Sequence, residues 1–362
     1  MKKLTFIPQL DSFRFFAVFL VMVYHWLPSY AYLPWGAYGV TFFFALSGFL
    51  ISSNLFYLKQ SIDNQEITTP GALKQFYVRR TLRIFPLYYL VIILSFVFIR
   101  DAFSGHVGWY LAYIPNFLFA REKSWPELLS HFWSLGVEEQ FYLLWPSLIF
   151  FVRWDRLKYL FLFVILFSIV MKLGLFLSHG SLFNLLLPWN SLDAFGTGAL
   201  LAYLPFSRYR TTFLDRIPFR WGFFLSLGLG ILSDRTGYFF LFDLFISISA
   251  IFIIRQAQKG FTGFAGKVFD FPALQYLGKI SYGLYVYHVF MPWLWRCLTG
   301  RELRLPLPIT IITGNWAHRP LVIEIAQFLL TVIISSLSWY LLEKPFINLA
   351  RRKARPSLVA VQ

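Results

Sequence analysis

The chain has 362 residues, 58% hydrophobic and 14% charged, with 44 Phe, 20 Tyr and 13 Trp. Soluble domains carry about 25% charged residues, so there is too little polar surface here to cover a globule in water. That argues against secreted, disordered and nucleic-acid-binding classes. The net charge of +16 comes from 33 Lys+Arg against 17 Asp+Glu. In so apolar a chain it reads first as loops held on the cytoplasmic side, and second as a sign of an anionic cytoplasmic ligand. Cys297 is the only cysteine, which excludes an intrachain disulfide and a cysteine metal cluster.

Apolar runs of membrane-spanning length recur along the chain. They predict an all-α polytopic membrane protein of about ten transmembrane helices. In order these are 12–30, 38–57, 83–100, 139–152, 158–178, 190–204, 221–233, 237–254, 280–297 and 321–342. The segment 105–120 is apolar but broken by Pro115, and reads as re-entrant or interfacial. Of the basic residues, 23 fall in one set of alternate loops and 8 in the other. The asymmetry predicts an even number of spans with both termini cytoplasmic. The first run follows Lys2 and Lys3 but has no clean cleavage site and contains Arg14 and His25, so it is expected to be a retained helix. Residues 1–350 are expected to form a single transmembrane domain. The basic end 351–362 reads as a disordered cytoplasmic tail placed to touch anionic lipid.

Several polar residues fall inside these runs. In the first helix, Arg14 and His25 are eleven residues apart, about 20° from three full turns and about 16 Å of rise. They share a face. One reading is a polar path running inward from the cytoplasm. The other is that Arg14 snorkels to headgroups while His25 bonds a neighbouring helix. Arg80 and Arg83 are three apart at the expected start of the third helix. Two guanidiniums on one face at a helix end suit a phosphate, or serve as an ordinary cytoplasmic anchor. Glu138 and Glu139 are expected to open the fourth helix from the non-cytoplasmic side. One would cap its start, and His131, seven residues before Glu138, would fall near it in register.

His288, among Tyr282, Tyr285 and Tyr287, reads as a structural hydrogen-bonded histidine. Glu343 precedes Lys344 and Pro345; the proline is expected to end the last helix. Asp193 is a further in-span carboxylate, with Gly196 and Gly198 beside it for close helix contact. Lys172 also lies within a run. No P-loop, GxGxxG, GxSxG or HExxH occurs, and the His and carboxylate spacings form no metal set. No metal is expected.

In chain order, the motifs are Arg14-x10-His25, GVTFFFALSGFLI (39–51), Arg80-x-x-Arg83 with Pro86, FWSLGVEEQFYLLWP (132–146), LGKISYGLYVYH (277–288) and LLEKPF (341–346). Together they resemble acyltransferase family 3, bacterial integral-membrane acyltransferases that modify surface carbohydrates. The resemblance spans nearly the whole chain. Its Arg-x10-His and SLxVEEQFY elements are the most specific. No counterpart of the soluble esterase-like domain that some members carry is expected.

The resemblance implies a ten-helix core in the bacterial inner membrane that takes an acyl group, acetyl by default, from cytoplasmic acyl-CoA to a carbohydrate or glycolipid hydroxyl. O-antigen leads as acceptor, with peptidoglycan or exopolysaccharide close behind. It places an essential pair on Arg14 and His25, acyl-CoA binding on Arg80 and Arg83, and an acidic acceptor-side role on Glu138. The expected chemistry is neutral His25 as general base on the acceptor hydroxyl, with an acyl-His intermediate as the rival route. Rival classes are a transporter or flippase and a non-catalytic scaffold.

Overall fold

A computed structural model describes residues 6–27, 32–206, 216–299 and 319–353. Regular structure among the described residues is entirely helical. In order the helices are α1 (Pro8–Trp26), α2 (Trp35–Asp63), α3 (Thr69–Phe98), α4 (Val107–Leu111), α5 (Pro115–Glu122), α6 (Phe132–Phe151), α7 (Trp154–Leu177) and α8 (Leu192–Tyr203). Then come α9 (Phe219–Arg235), α10 (Phe242–Lys259), α11 (Gly263–Phe269), α12 (Pro272–Lys279), α13 (Ser281–Tyr287), α14 (Phe290–Leu298), α15 (Pro320–Ser338) and α16 (Lys344–Lys353). Among the described residues, five stretches are long and apolar enough to cross a membrane: α2, α3, α7, Phe239–Lys259 and Pro320–Arg352. The expected segment break at Pro115 is present, between α4 and α5.

Four expectations change. Thr68 caps α3, its hydroxyl accepting from Gly71 N, and Pro70 sits in the first turn, so α3 begins at Thr69 rather than 83. Arg80 and Arg83 therefore stand in the middle of a helix, not at its end. Second, α6 begins at Phe132, so no acid lies in its first turn and neither Glu138 nor Glu139 caps it. Third, the run 280–297 is two helices. The His288 ring donates from Nδ1 to Tyr285 O at 2.6 Å, competing for the carbonyl that a continuous helix would offer to residue 289. Fourth, Pro345 does not end the last helix. The turn Trp339–Glu343 widens to a π-turn and α16 continues beyond it; such a turn takes up the hydrogen bond that proline cannot make. Of the expected tail, residues 351–353 form the last turn of α16, and 354–362 lie outside the described residues.

The chain folds as two compact units. The first comprises Met1–Gln60, Tyr113–Trp125 and Ser130–Ser281. Its most enclosed span is α2. Gly48 and Gly198 let α2 and α8 touch: a Cβ on Gly48 would overlap Phe195 O, and one on Gly198 would overlap Ala45 O. Phe195 then stacks on Phe44 at 4.7 Å and Phe141 at 4.0 Å. Helix α1 runs antiparallel to α2, with Gly39 against Ala17 and Val21, and Phe42 against Phe13. Helix α6 runs in the same direction as α2. A polar ladder joins them: Tyr142 OH to Ser47 Oγ at 3.2 Å, Trp145 Nε1 to Ser52 Oγ at 2.8 Å, and Lys59 Nζ to Phe150 O at 2.9 Å. At the start of α1, Gln9 donates to Asp270 and Ser12 to Phe269 O, so the α11–α12 segment closes over the first turns.

The second unit comprises Ser61–Ala112, Pro126–Leu129 and Tyr282–Gln362. Tyr88 OH donates to Tyr110 O at 2.7 Å and Tyr89 OH to Leu111 O at 3.0 Å, fixing α4 to α3. Near Pro86, Tyr282 OH donates to Ile84 O at 3.0 Å. Helix α16 packs beside α3.

Candidate functional site

The first unit holds Arg14, His25 and Glu138; the second holds Arg80 and Arg83. Arg14 is largely buried and reaches Asp11, one turn back on α1, at 3.7 Å. The i, i+3 spacing places the two on one face, a signal present in the sequence but not used there. His25 lies in the last turn of α1. The residue is exposed. Nδ1 is 2.9 Å from Val21 O. A carbonyl only accepts, so Nδ1 carries the proton and Nε2 is the basic nitrogen. The tautomer suited to a base is thus set by the helix that carries it.

Glu138 is half-buried in the second turn of α6. Its Oε1 accepts from Ser47 Oγ at 2.8 Å. What holds α6 in place is the stretch around the acids. Gly136 lies against Asn116 Oδ1 and Tyr113 O. Gln140 Nε2 donates to Tyr113 O at 3.0 Å and to Asn116 Oδ1 at 2.9 Å, while Asn116 Nδ2 returns a bond to Gln140 Oε1. Within SLGVEEQFY, Gly136 and Gln140 therefore fasten α6 to α5, and Glu138 faces α2. The α1–α2 contacts set the levels. Ala17 and Val21 meet Gly39, and Phe13 meets Phe42. At about 1.5 Å per residue on both helices, Ser47 comes level with the Asp11–Arg14 turn. Glu138 is therefore grouped in depth with Arg14, and His25 stands about 16 Å further along α1.

A second polar set in this unit was not assembled from the sequence. Lys172 Nζ, fully buried, donates to Asp193 Oδ2 at 2.6 Å and to Asp243 Oδ2 at 3.0 Å. Ser168 donates to Asp193 at 3.0 Å and Thr41 to Asp243 at 2.6 Å, and Thr197 donates to the Asp193 carbonyl. These bonds tie α2, α7, α8 and α10. A lone lysine in an apolar span demands a partner; that signal was present, but the partners lie 21 and 71 residues away.

In the second unit Arg80 and Arg83 are half-buried on one face of α3. One position earlier, Arg79 feels the like charge of Arg351 on α16. His288 is buried and held by Tyr285 O, in keeping with its structural reading. Glu343 is buried in the π-turn and accepts from Ser338 Oγ at 3.3 Å.

Comparison with known proteins follows the same lines. The model of the acyltransferase domain family matches residues 7–343. The chain is 29% identical to the peptidoglycan O-acetyltransferase OatA of Listeria monocytogenes, over 95% of this chain and 57% of that protein. It is 29% identical to the O-acetyltransferase OatA of Staphylococcus aureus, over 94% of this chain and 57% of that protein. It thus spans little more than half the length of these relatives. No solved structure gives a significant match.

Proposed function

The chain belongs to the acyltransferase domain family, and from that premise we propose that it is a multi-pass membrane O-acetyltransferase. It takes acetyl from cytoplasmic acetyl-CoA to a hydroxyl of a surface glycan, working in the bacterial inner membrane with both termini cytoplasmic. The relatives' names support acetyl as the group. One of them names peptidoglycan, which moves an amino-sugar glycan ahead of O-antigen and exopolysaccharide as the acceptor class.

The observation that carries the reading is His25, an exposed residue at the end of α1 whose ring is fixed with its basic nitrogen at Nε2. In the proposed step Nε2 takes the proton of the acceptor hydroxyl. The oxygen attacks the thioester carbonyl, the C–S bond breaks, and the imidazolium returns its proton to the CoA thiolate. Arg14, about 16 Å from His25 along α1, orients the donor. Arg80 and Arg83, three residues apart on α3, hold CoA phosphates. Glu138, at the depth of Arg14, assists on the acceptor path. The acyl-His route uses the same nitrogen as nucleophile.

The test is acetyl transfer by purified protein in proteoliposomes supplied with labelled acetyl-CoA and a glycan acceptor. CoA thiol release matched by acetyl on the glycan is expected. Glycan crossing the bilayer with the thioester intact would make the protein a flippase and overturn the reading.

A further inference from the structure

Two of the motifs meet in a hydrogen-bonded chain that the transfer step above does not use. Ser47 lies in GVTFFFALSGFLI on α2 and donates from Oγ to Glu138 Oε1 at 2.8 Å. Tyr142, one turn after Glu138 on α6, donates from its hydroxyl to Ser47 Oγ at 3.2 Å. A serine hydroxyl has one proton and two lone pairs. With the proton given to the carboxylate, Oγ receives from Tyr142, so the chain runs one way, from Tyr142 through Ser47 to Glu138. Each bond in such a chain polarises and strengthens the next.

Contacts outside the chain hold both of its ends. On α2, Gly48 follows Ser47, and its close approach to Phe195 O of α8 fixes the turn that carries the serine. On α6, Gly136 and Gln140 flank Glu138 and fasten to Tyr113 and Asn116. Tyr142 is buried and Glu138 half-buried, so the phenol is enclosed while the carboxylate stays partly open. The same two helices carry a second rung without any acid, Trp145 Nε1 donating to Ser52 Oγ at 2.8 Å, and both of its residues are buried. Tying α2 to α6 needs no more than that indole and hydroxyl. The Ser47 rung ends instead on a carboxylate, as a charge-assisted bond.

We propose that Ser47 and Tyr142 are positioning residues that act through Glu138, holding its carboxylate in one orientation for the incoming acceptor hydroxyls. The inference rests on the acyl-transfer reading and on the place of Glu138 in it. A glutamate side chain loses much rotamer freedom when it is ordered. The bond from Ser47 orders it before the acceptor arrives, so less of the acceptor's binding free energy goes into fixing it. Loss of the chain therefore falls on the acceptor and leaves the donor untouched.

The experiment uses the full chain in lipid nanodiscs, with acetyl-CoA as donor and an N-acetylglucosamine pentamer as acceptor probe, and records the unfolding midpoint of each variant. Ser47→Ala should raise the acceptor KM about tenfold, with donor KM and kcat close to wild type. Ser47→Thr, which keeps the hydroxyl, should restore most of the loss. Tyr142→Phe should raise the acceptor KM about threefold and add nothing in the Ser47→Ala background. Ser47→Ala should likewise add nothing in the Glu138→Ala background, because residues acting through one group are not additive. Ser52→Ala should lower the midpoint and leave the acceptor KM alone. If Ser47→Ala keeps the wild-type acceptor KM, raises it equally without Glu138, or is matched in KM by Ser52→Ala, the chain is only a tie between helices. The inference then falls while the acyl-transfer reading stands. A wild type that transfers no acetyl removes both.

Discussion

The first unit contains two sets of polar groups in apolar surroundings, and they are satisfied in opposite ways. Lys172, Asp193 and Asp243 form a closed set. Lysine and one aspartate are fully buried, and both carboxylates also accept from hydroxyls. Arg14, His25 and Glu138 form an open set. Arg14 has its nearest carboxylate at 3.7 Å, His25 is accessible, and Glu138 is half-buried. The closed set ties four helices together around a fully buried ammonium. The open set leaves His25 exposed and Arg14 and Glu138 only partly covered, so something that arrives can reach them. Burial and ionisation alone do not mark a reaction site; polar groups at an accessible surface are what a substrate can meet.

Breaking the closed set should give the largest loss of stability. Lys172→Met leaves Asp193 buried without its ammonium, and the expected cost is about 3–5 kcal/mol, read as a lowered unfolding midpoint in detergent. Removing both buried charges in Lys172→Met/Asp193→Leu should recover most of that loss. The recovered double variant should transfer acetyl within a few-fold of the wild type. Its inactivity when folded would show that the closed set also takes part in chemistry. Next, Gly198→Ala drives a methyl into Ala45 O and should cost about 1–3 kcal/mol by parting α8 from α2. The smallest effect belongs to the open set. Ser47→Ala removes one hydrogen bond to Glu138 and should cost about 1–2 kcal/mol by the same melt. A cost equal to that of Lys172→Met would erase the distinction between the two sets.

The sequence made the open set legible because its members lie on one helix or in one contiguous motif. Arg14 and His25 share a face by spacing, and the acidic pair lies inside an unbroken apolar run. The closeness of Gly198 to a neighbouring helix was also readable from residue size, as the contact with Ala45 bears out. What escaped was long-range or competitive. The bonds of the closed set join residues up to 202 positions apart, and no local period encodes that. Glu138 was misplaced at a helix start because Ser134 and Gly136 argue weakly for helix, whereas the amide pairing of Gln140 with Asn116 holds the added turn. The break at residue 288 turns on a ring nitrogen taking a backbone carbonyl. Passage of the chain through Pro345 depends on a π-turn, which residue preferences do not announce.

One paired measurement bears most directly on the role given to the open set. His25→Gln, checked for correct membrane insertion and compared with wild type in the same proteoliposomes, is assayed for acetyl transfer and for its unfolding midpoint. The expected outcome is a midpoint close to wild type and a transfer rate lower by about 10²–10⁴-fold. Transfer at the native rate by the inserted variant would contradict both the general-base and the acyl-histidine routes.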